Sequence, residues 1–239
     1  MKFLYTVVAA VAAAAFSSTA LADHLPHLQG APTTHDVKER IAPPEGASLY
    51  DVWYAKGNRI YQCNPERTGF QHWYNVQTHA FLYRTEGEEP PFDKEGKEIG
   101  QLAAMPLNSS QQMADPMETI PVIYYYPDGS WAGSTHPLAT TTKEPGRVER
   151  GDAGNLDDHL EPVAYTSEDG YLSHAKYIVR LNSIDGAVPA ANECTIKGMV
   201  VNKPFTAYFM VYTDHEGLQR LAKERVEWNR MVEEYKPSH

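Results

Sequence analysis

Tyr171-Leu172-Ser173-His174-Ala175-Lys176-Tyr177-Ile178-Val179-Arg180-Leu181-Asn182 opens the stretch that decides the fold. It turns at Ile184-Asp185-Gly186, passes Cys194, and closes with Pro204-Phe205-Thr206-Ala207-Tyr208-Phe209-Met210-Val211-Tyr212. Both runs are rich in the β-branched and aromatic residues that fit a pleated, half-buried surface. Two such runs around a Gly turn predict the core of an antiparallel β-fold.

Working outward, the pattern repeats. Leu49 to Cys63 reads as strand, turn and strand, with Lys56-Gly57-Asn58 as the turn. Phe70 to Arg84 supplies one or two further strands, and Ile120 to Tyr126 another. Pro127-Asp128-Gly129-Ser130 is a hairpin turn, since Pro presets φ and Gly accepts positive φ. Trp131 to Ser134 and Pro162 to Thr166 are short strands. Ile99 to Thr119 reads as a long loop, and His136 to Glu161 as a long polar surface excursion. After Tyr212 the period changes. Thr213-Asp214-His215-Glu216 has capping-box spacing, and Leu218, Leu221, Trp228, Met231, Val232 and Tyr235 recur at helical steps. About eight to ten short strands and one helix predict a mainly β fold. Its form is an antiparallel β-sandwich or barrel with a C-terminal amphipathic helix that packs on it.

The chain ends bound its compartment. Lys2, the apolar run Leu4 to Phe16 and the small residues Ala20-Leu21-Ala22 have the form of a secretory leader cleaved after Ala22. The run is shorter than the ~20 apolar residues of a membrane span. The organisation predicted is a signal peptide over 1–22, an extended, Pro-rich arm over 23–48, a β-domain over 49–213 and a helix over 214–235. The mature protein is then secreted and extracellular, or periplasmic in a bacterium. A formal charge of −10 excludes nucleic acid and anionic membrane as expected partners. In an oxidising compartment the two cysteines, Cys63 and Cys194, pair by default; two free thiols are the alternative.

Several segments together resemble a secreted family of fungi and bacteria, the domain of unknown function "thirty-four fifty-five". They are Pro43-Pro44-Glu45-Gly46, Gly57-Asn58-Arg59-Ile60-Tyr61-Gln62-Cys63, Trp73, Ala80-Phe81-Leu82 and Gly96-Lys97-Glu98-Ile99-Gly100. Asp128-Gly129-Ser130 follows, then Tyr177 to Asn182 with Gly186, Pro189 and Cys194, and the closing strand Phe205 to Tyr212. The resemblance covers about Pro43 to Tyr212. Arg59 stands where the family pattern has Gln, and Gln101 to Leu107 replaces its His-x-x-Gly-Pro-x-Trp segment. The helix is an addition. The resemblance implies a secreted β-fold with a Cys pair and no agreed activity. Members are sometimes labelled malate dehydrogenase, but this chain has no Gly-x-Gly-x-x-Gly after a strand.

Four groups of residues are candidates for chemistry. His24 and His27 lie beside the predicted mature N-terminus, where an amine and imidazoles bind Cu(II). Asp152, Asp157, Asp158, His159 and Glu161 offer oxygen ligands for Ca²⁺, and His159 admits Zn²⁺. Ser134-Thr135-His136 and Ser173-His174 place hydroxyl beside imidazole, but no Gly-x-Ser-x-Gly elbow accompanies them. The acid pairs Glu88-Glu89 and Glu233-Glu234 read as solvated surface, not as a glycosidase pair. Aromatic residues abound, and Trp73, Tyr125 and Trp131 are the choices for a stacking surface. Asn108-Ser109-Ser110 is a glycosylation sequon if the host is eukaryotic. The leading expectation is a non-enzymatic module that binds a small molecule, a glycan or a surface partner without a cofactor. The alternative is a metal-dependent enzyme or metal carrier using Cu, Zn or Ca.

Overall fold

The structure is a computed structural model and describes residues 30–66, 72–105, 120–134 and 146–235. Nine strands form one antiparallel sheet. They are β1 (Ser48–Cys63), β2 (Trp73–Arg84), β3 (Glu98–Met105), β4 (Ile120–Tyr125), β5 (Trp131–Ser134), β6 (Arg147–Glu149), β7 (Asp158–Thr166), β8 (Tyr177–Asp185) and β9 (Val200–Thr213). The order is β5-β4-β3-β2-β1-β9-β8-β7-β6, and a β5–β7 pairing closes the sheet into a ring. Only β6 stands outside that ring, so the fold is an up-and-down barrel with no open edge along its closed wall.

Three sequence expectations change. Leu49 to Cys63 is not a hairpin but part of a single 16-residue strand. Gly57 is not its turn: it pairs with Ala80 on one side and Phe205 on the other. A Cβ there would lie 2.5 Å from Ala80 Cβ and closer still to the His79 carbonyl oxygen. Glycine is required by close strand approach rather than by chain reversal. The expected loop after Ile99 begins instead with β3, whose Leu102 is buried. The excursion from His136 contains β6 and the start of β7.

The bore is narrow because small residues line much of it. Ala55, Ala80, Ala132 and Ala207 are buried with Leu82, Ile123, Phe205 and Phe209 in one cluster. At one end, rings fill the space. Trp53 stacks on Tyr125 with centroids 5.7 Å apart, and Tyr125 stacks on Tyr171 at 4.8 Å. Tyr171 and the buried Leu172 belong to a short 3-10 turn, not to the strand, which starts at Tyr177. Gly170 places that turn, and Asp128 Oδ2 accepts from the Tyr171 amide at 2.7 Å.

Outside the barrel, the arm before β1 covers a second apolar face. From Gly30 it is two short 3-10 turns, with Ile41 fully buried against Leu160, Val179, Leu181 and Met210. Arg147 Nη2 donates to the Ala42 carbonyl at 2.6 Å. Helix α1 (His215–Glu234) follows β9, and its N-cap is Asp214, whose side chain accepts from the Gly217 amide at 2.8 Å. The capping residue is therefore one later than the Thr213 of the expected box. Thr213 Oγ1 donates instead to the His174 carbonyl at 2.6 Å. Leu221 is buried, and Tyr235 lies 5.8 Å from the Tyr126 ring, so the helix meets the barrel at two places.

The ring-filled end holds one strained group. Asp51 accepts from the Tyr171 hydroxyl at 2.7 Å and from the Val52 amide at 2.8 Å. Burial pushes its carboxyl up to about 6, and hydrogen bonding from Tyr171, Trp53 and the Val52 amide pulls it back down only in part. A carboxyl whose folded pKa exceeds its unfolded value destabilises the fold when ionised. The cost is present above about pH 6 and relieved as pH falls toward 4, and amounts to up to about 3 kcal/mol. Asp51→Asn should therefore gain stability over the parent at pH 7.5, with the gain shrinking toward pH 4.5. Urea unfolding at the two pH values checks this, and a pH-independent difference would contradict it.

Candidate functional site

The residues picked from sequence as a stacking surface do not form one. Trp73 is 3% exposed, donates its indole N–H to the Ala190 carbonyl at 3.0 Å, and packs on Tyr61, Cys63 and Cys194. Tyr125 is 3% exposed inside the barrel, and Trp131 is half-buried on β5. The Cys63–Cys194 disulfide is present, with Cα atoms 5.4 Å apart. His24, His27, Asn108 and His136 lie outside the described residues. Ser173 Oγ donates to the Gly170 carbonyl at 2.7 Å, a turn contact rather than one with His174.

The acidic group around residue 157 disperses as well. Asp157 accepts from the Gly151 amide at 3.0 Å, and Asp158 from the Asn182 amide at 3.0 Å. His159, one step along β7, alternates to the other face of the sheet. Among the described residues no three His, Cys, Asp or Glu side chains come together as a metal set.

A different constellation occupies the bore at the end opposite the stacked rings. It comes from β1, β7 and β8. His159 stands beside Arg180 across the β7–β8 ladder, and Glu161 beside Ile178. Ile178 is a member of the interior cluster, and side chains paired across a ladder share a face. His159, Glu161 and Arg180 therefore face the bore. Arg59 on β1 stands across from Thr78 and Lys203, on the same face as Gly57 and Ala55.

Each side chain is held. Arg180 donates from Nε and Nη2 to the Asp157 carbonyl at 3.1 and 2.6 Å. Arg59 lies over the Tyr61 ring at 5.2 Å, a cation–π contact. The Asn75 amide, turned to satisfy both its ends, accepts from Arg59 Nε at 3.1 Å and Nη2 at 2.6 Å. Tyr61 donates its hydroxyl to the Gly186 carbonyl at 2.7 Å, across β9. His159 Nδ1 is 2.9 Å from Glu161 Oε1. His159 is 6% exposed, and its Nε2 has no partner among the described residues.

The electrostatics follow from this placement. Burial lowers the Arg180 pKa, the Arg59 charge lowers it further, and Glu161, Tyr61 and Asp158 oppose the shift. Two guanidiniums thus interact inside the barrel, with the carboxylates of Glu161 and Asp158 acting on Arg180. Burying charge out of water is costly unless opposite charge or hydrogen bonds compensate. Each Arg has five N–H donors in a fixed fork, and the contacts above engage only part of them. The arrangement can bind an anion.

A second concavity lies on the outer wall. It is a groove of about 390 Å³ bordered by Lys56, Asn58, His79, Phe81, Ile184 and Thr206, among others. Phe81 is 41% exposed there and meets the His79 ring edge-on at 5.0 Å. Lys56 Nζ pairs with Asp93 Oδ2 at 2.6 Å at its margin.

Neither Arg59 nor Arg180 was picked out by residue type, because single arginines in strands carry no spacing signal. Both nevertheless fall in the segments that carry the family resemblance, and Arg59 is a departure from it. Fold and site together define an antiparallel β-barrel with a pair of interacting arginines at one interior end. The chain belongs to the DUF3455 family, described as proteins of unknown function, whose model matches residues 43–213. No curated protein and no solved structure matches the chain.

Proposed function

We propose that the protein is a secreted, non-enzymatic binding barrel that takes a small anionic molecule in its bore between Arg59 and Arg180. One observation carries this reading: two guanidiniums, Arg59 and the buried Arg180, interact inside the barrel. Charge-assisted hydrogen bonds to Arg contribute about 1.5–3 kcal/mol each when desolvated. Secretion rests on the leader pattern of residues 1–22 and on the disulfide. No helix of the described residues is long and apolar enough to cross a membrane.

Calorimetric titration of the mature protein with acetate, citrate and inorganic phosphate tests the reading. At least one should bind. Arg180→Gln should weaken it by at least about tenfold, or ~1.4 kcal/mol. Arg59→Gln, which restores the residue of the family pattern, should do likewise without loss of folding. Binding by neither parent nor variants, or equal binding by all three, would reject the site.

The outer groove favours a second reading, a glycan stacked on Phe81. Sugar faces stack on exposed aromatic rings, and Phe81 is the one large aromatic ring exposed in that groove among the described residues. Phe81→Ala should abolish a glycan-array signal and leave anion binding intact. The metal-dependent reading keeps only His24 and His27, which lie outside the described residues.

A further inference from the structure

His159 has one ring nitrogen engaged and the other bare. Nδ1 faces Glu161 Oε1 at 2.9 Å, so the proton sits on Nδ1 and is donated to the carboxylate. Nε2 is then an acceptor, in a residue 6% exposed, with no hydrogen-bond partner among the described residues. An acceptor buried without a donor is unfavourable, so a ligand that brings an acidic proton gains where a fully ionised one does not.

We infer that the interior site distinguishes oxyanions by their protons, and that its ligand is inorganic hydrogen phosphate, whose P–OH donates to His159 Nε2 while Arg59 and Arg180 hold its charged oxygens. The inference rests on the anion reading above and adds the ligand class. Sulfate has similar size and charge at neutral pH but no proton to give. A phosphate monoester dianion likewise lacks one. Against either, Nε2 presents a lone pair to a negative oxygen, which is repulsive. The pairing works as a filter because the arginines accept any oxyanion and His159 accepts only a protonated one.

The test is calorimetric titration of the mature protein at pH 7.5 with inorganic phosphate, sulfate and methyl phosphate in turn. Phosphate is expected to bind at least about tenfold more tightly than either competitor. His159→Leu, which removes the acceptor, should bring phosphate and sulfate to within about twofold of each other. Should that variant not fold, the ratio in the parent protein decides alone. Sulfate binding as tightly as phosphate would overturn the inference and leave the anion site standing. Methyl phosphate binding as tightly would overturn it too, and would assign the site to phosphate esters. If no oxyanion binds but a carboxylate does, the ligand class is wrong and the anion reading survives. If nothing anionic binds, both fall.

Discussion

Gly57→Ala is expected to prevent the barrel from closing. The added Cβ points into the bore at a position where β1 and β2 approach closely. It would lie 2.5 Å from Ala80 Cβ and closer to the His79 carbonyl oxygen, which is backbone and cannot rotate away. Relief requires β1 and β2 to separate at the middle of their ladder, where Gly57 pairs with Ala80 on one side and Phe205 on the other. Overpacking against side chains costs about 1–3 kcal/mol, and strain against backbone belongs to the rarer class above about 4. The expected result is an insoluble or molten product, or an unfolding free energy in urea lowered by that much. Gly30→Ala is the control, since nothing lies within 4 Å of its Cβ position. A Gly57→Ala protein as stable as the control would mean the two strands do not approach as described.

The second large effect is loss of the Cys63–Cys194 bridge. It links the end of β1 to the segment before β9, across a sequence separation of 131. Closing a loop of that length removes chain entropy from the unfolded state worth about 5 kcal/mol. The bridge is also part of the packing: Cys63 is 1% and Cys194 6% exposed, with Trp73 and Tyr61 against them. The double variant Cys63→Ser/Cys194→Ser should therefore lose about 5 kcal/mol by urea unfolding, a large share of the 5–15 kcal/mol typical of a domain. Reduction of the native protein should produce a loss of similar size. A loss under about 1 kcal/mol would show that the unfolded chain is already compact enough to gain nothing from the link.

The candidate site was less legible than the fold. Trp73 and Tyr125 look like binding residues in the sequence because large aromatics mark exposed patches as readily as cores. Their burial against the disulfide and inside the ring stack is a property of closure. His159 was visible as a potential metal ligand beside Asp157 and Asp158. On a strand, neighbours alternate faces, so the His belongs with Glu161 and not with the two aspartates. The arginines were invisible as a pair, since they lie on β1 and β8 and meet only because β9 runs between those strands. Phe81 sits within a buried-looking Ala-Phe-Leu run, and only the register turns it outward.

What the amino-acid sequence determined by itself is local. Aromatic and β-branched enrichment made the chain a β-protein, and Pro127-Asp128-Gly129-Ser130 set the β4–β5 turn, where Gly129 takes φ +75°. Having two cysteines left one intramolecular pairing. The change of period after Tyr212 located the helix to within a residue. Only the tertiary structure decided that the sheet closes, that Lys56-Gly57-Asn58 continues a strand, and which face of each strand is the bore. The reason is that alternation separates two faces without saying which is inside. A glycine also suits a turn and a close strand crossing equally well until its neighbours are in place.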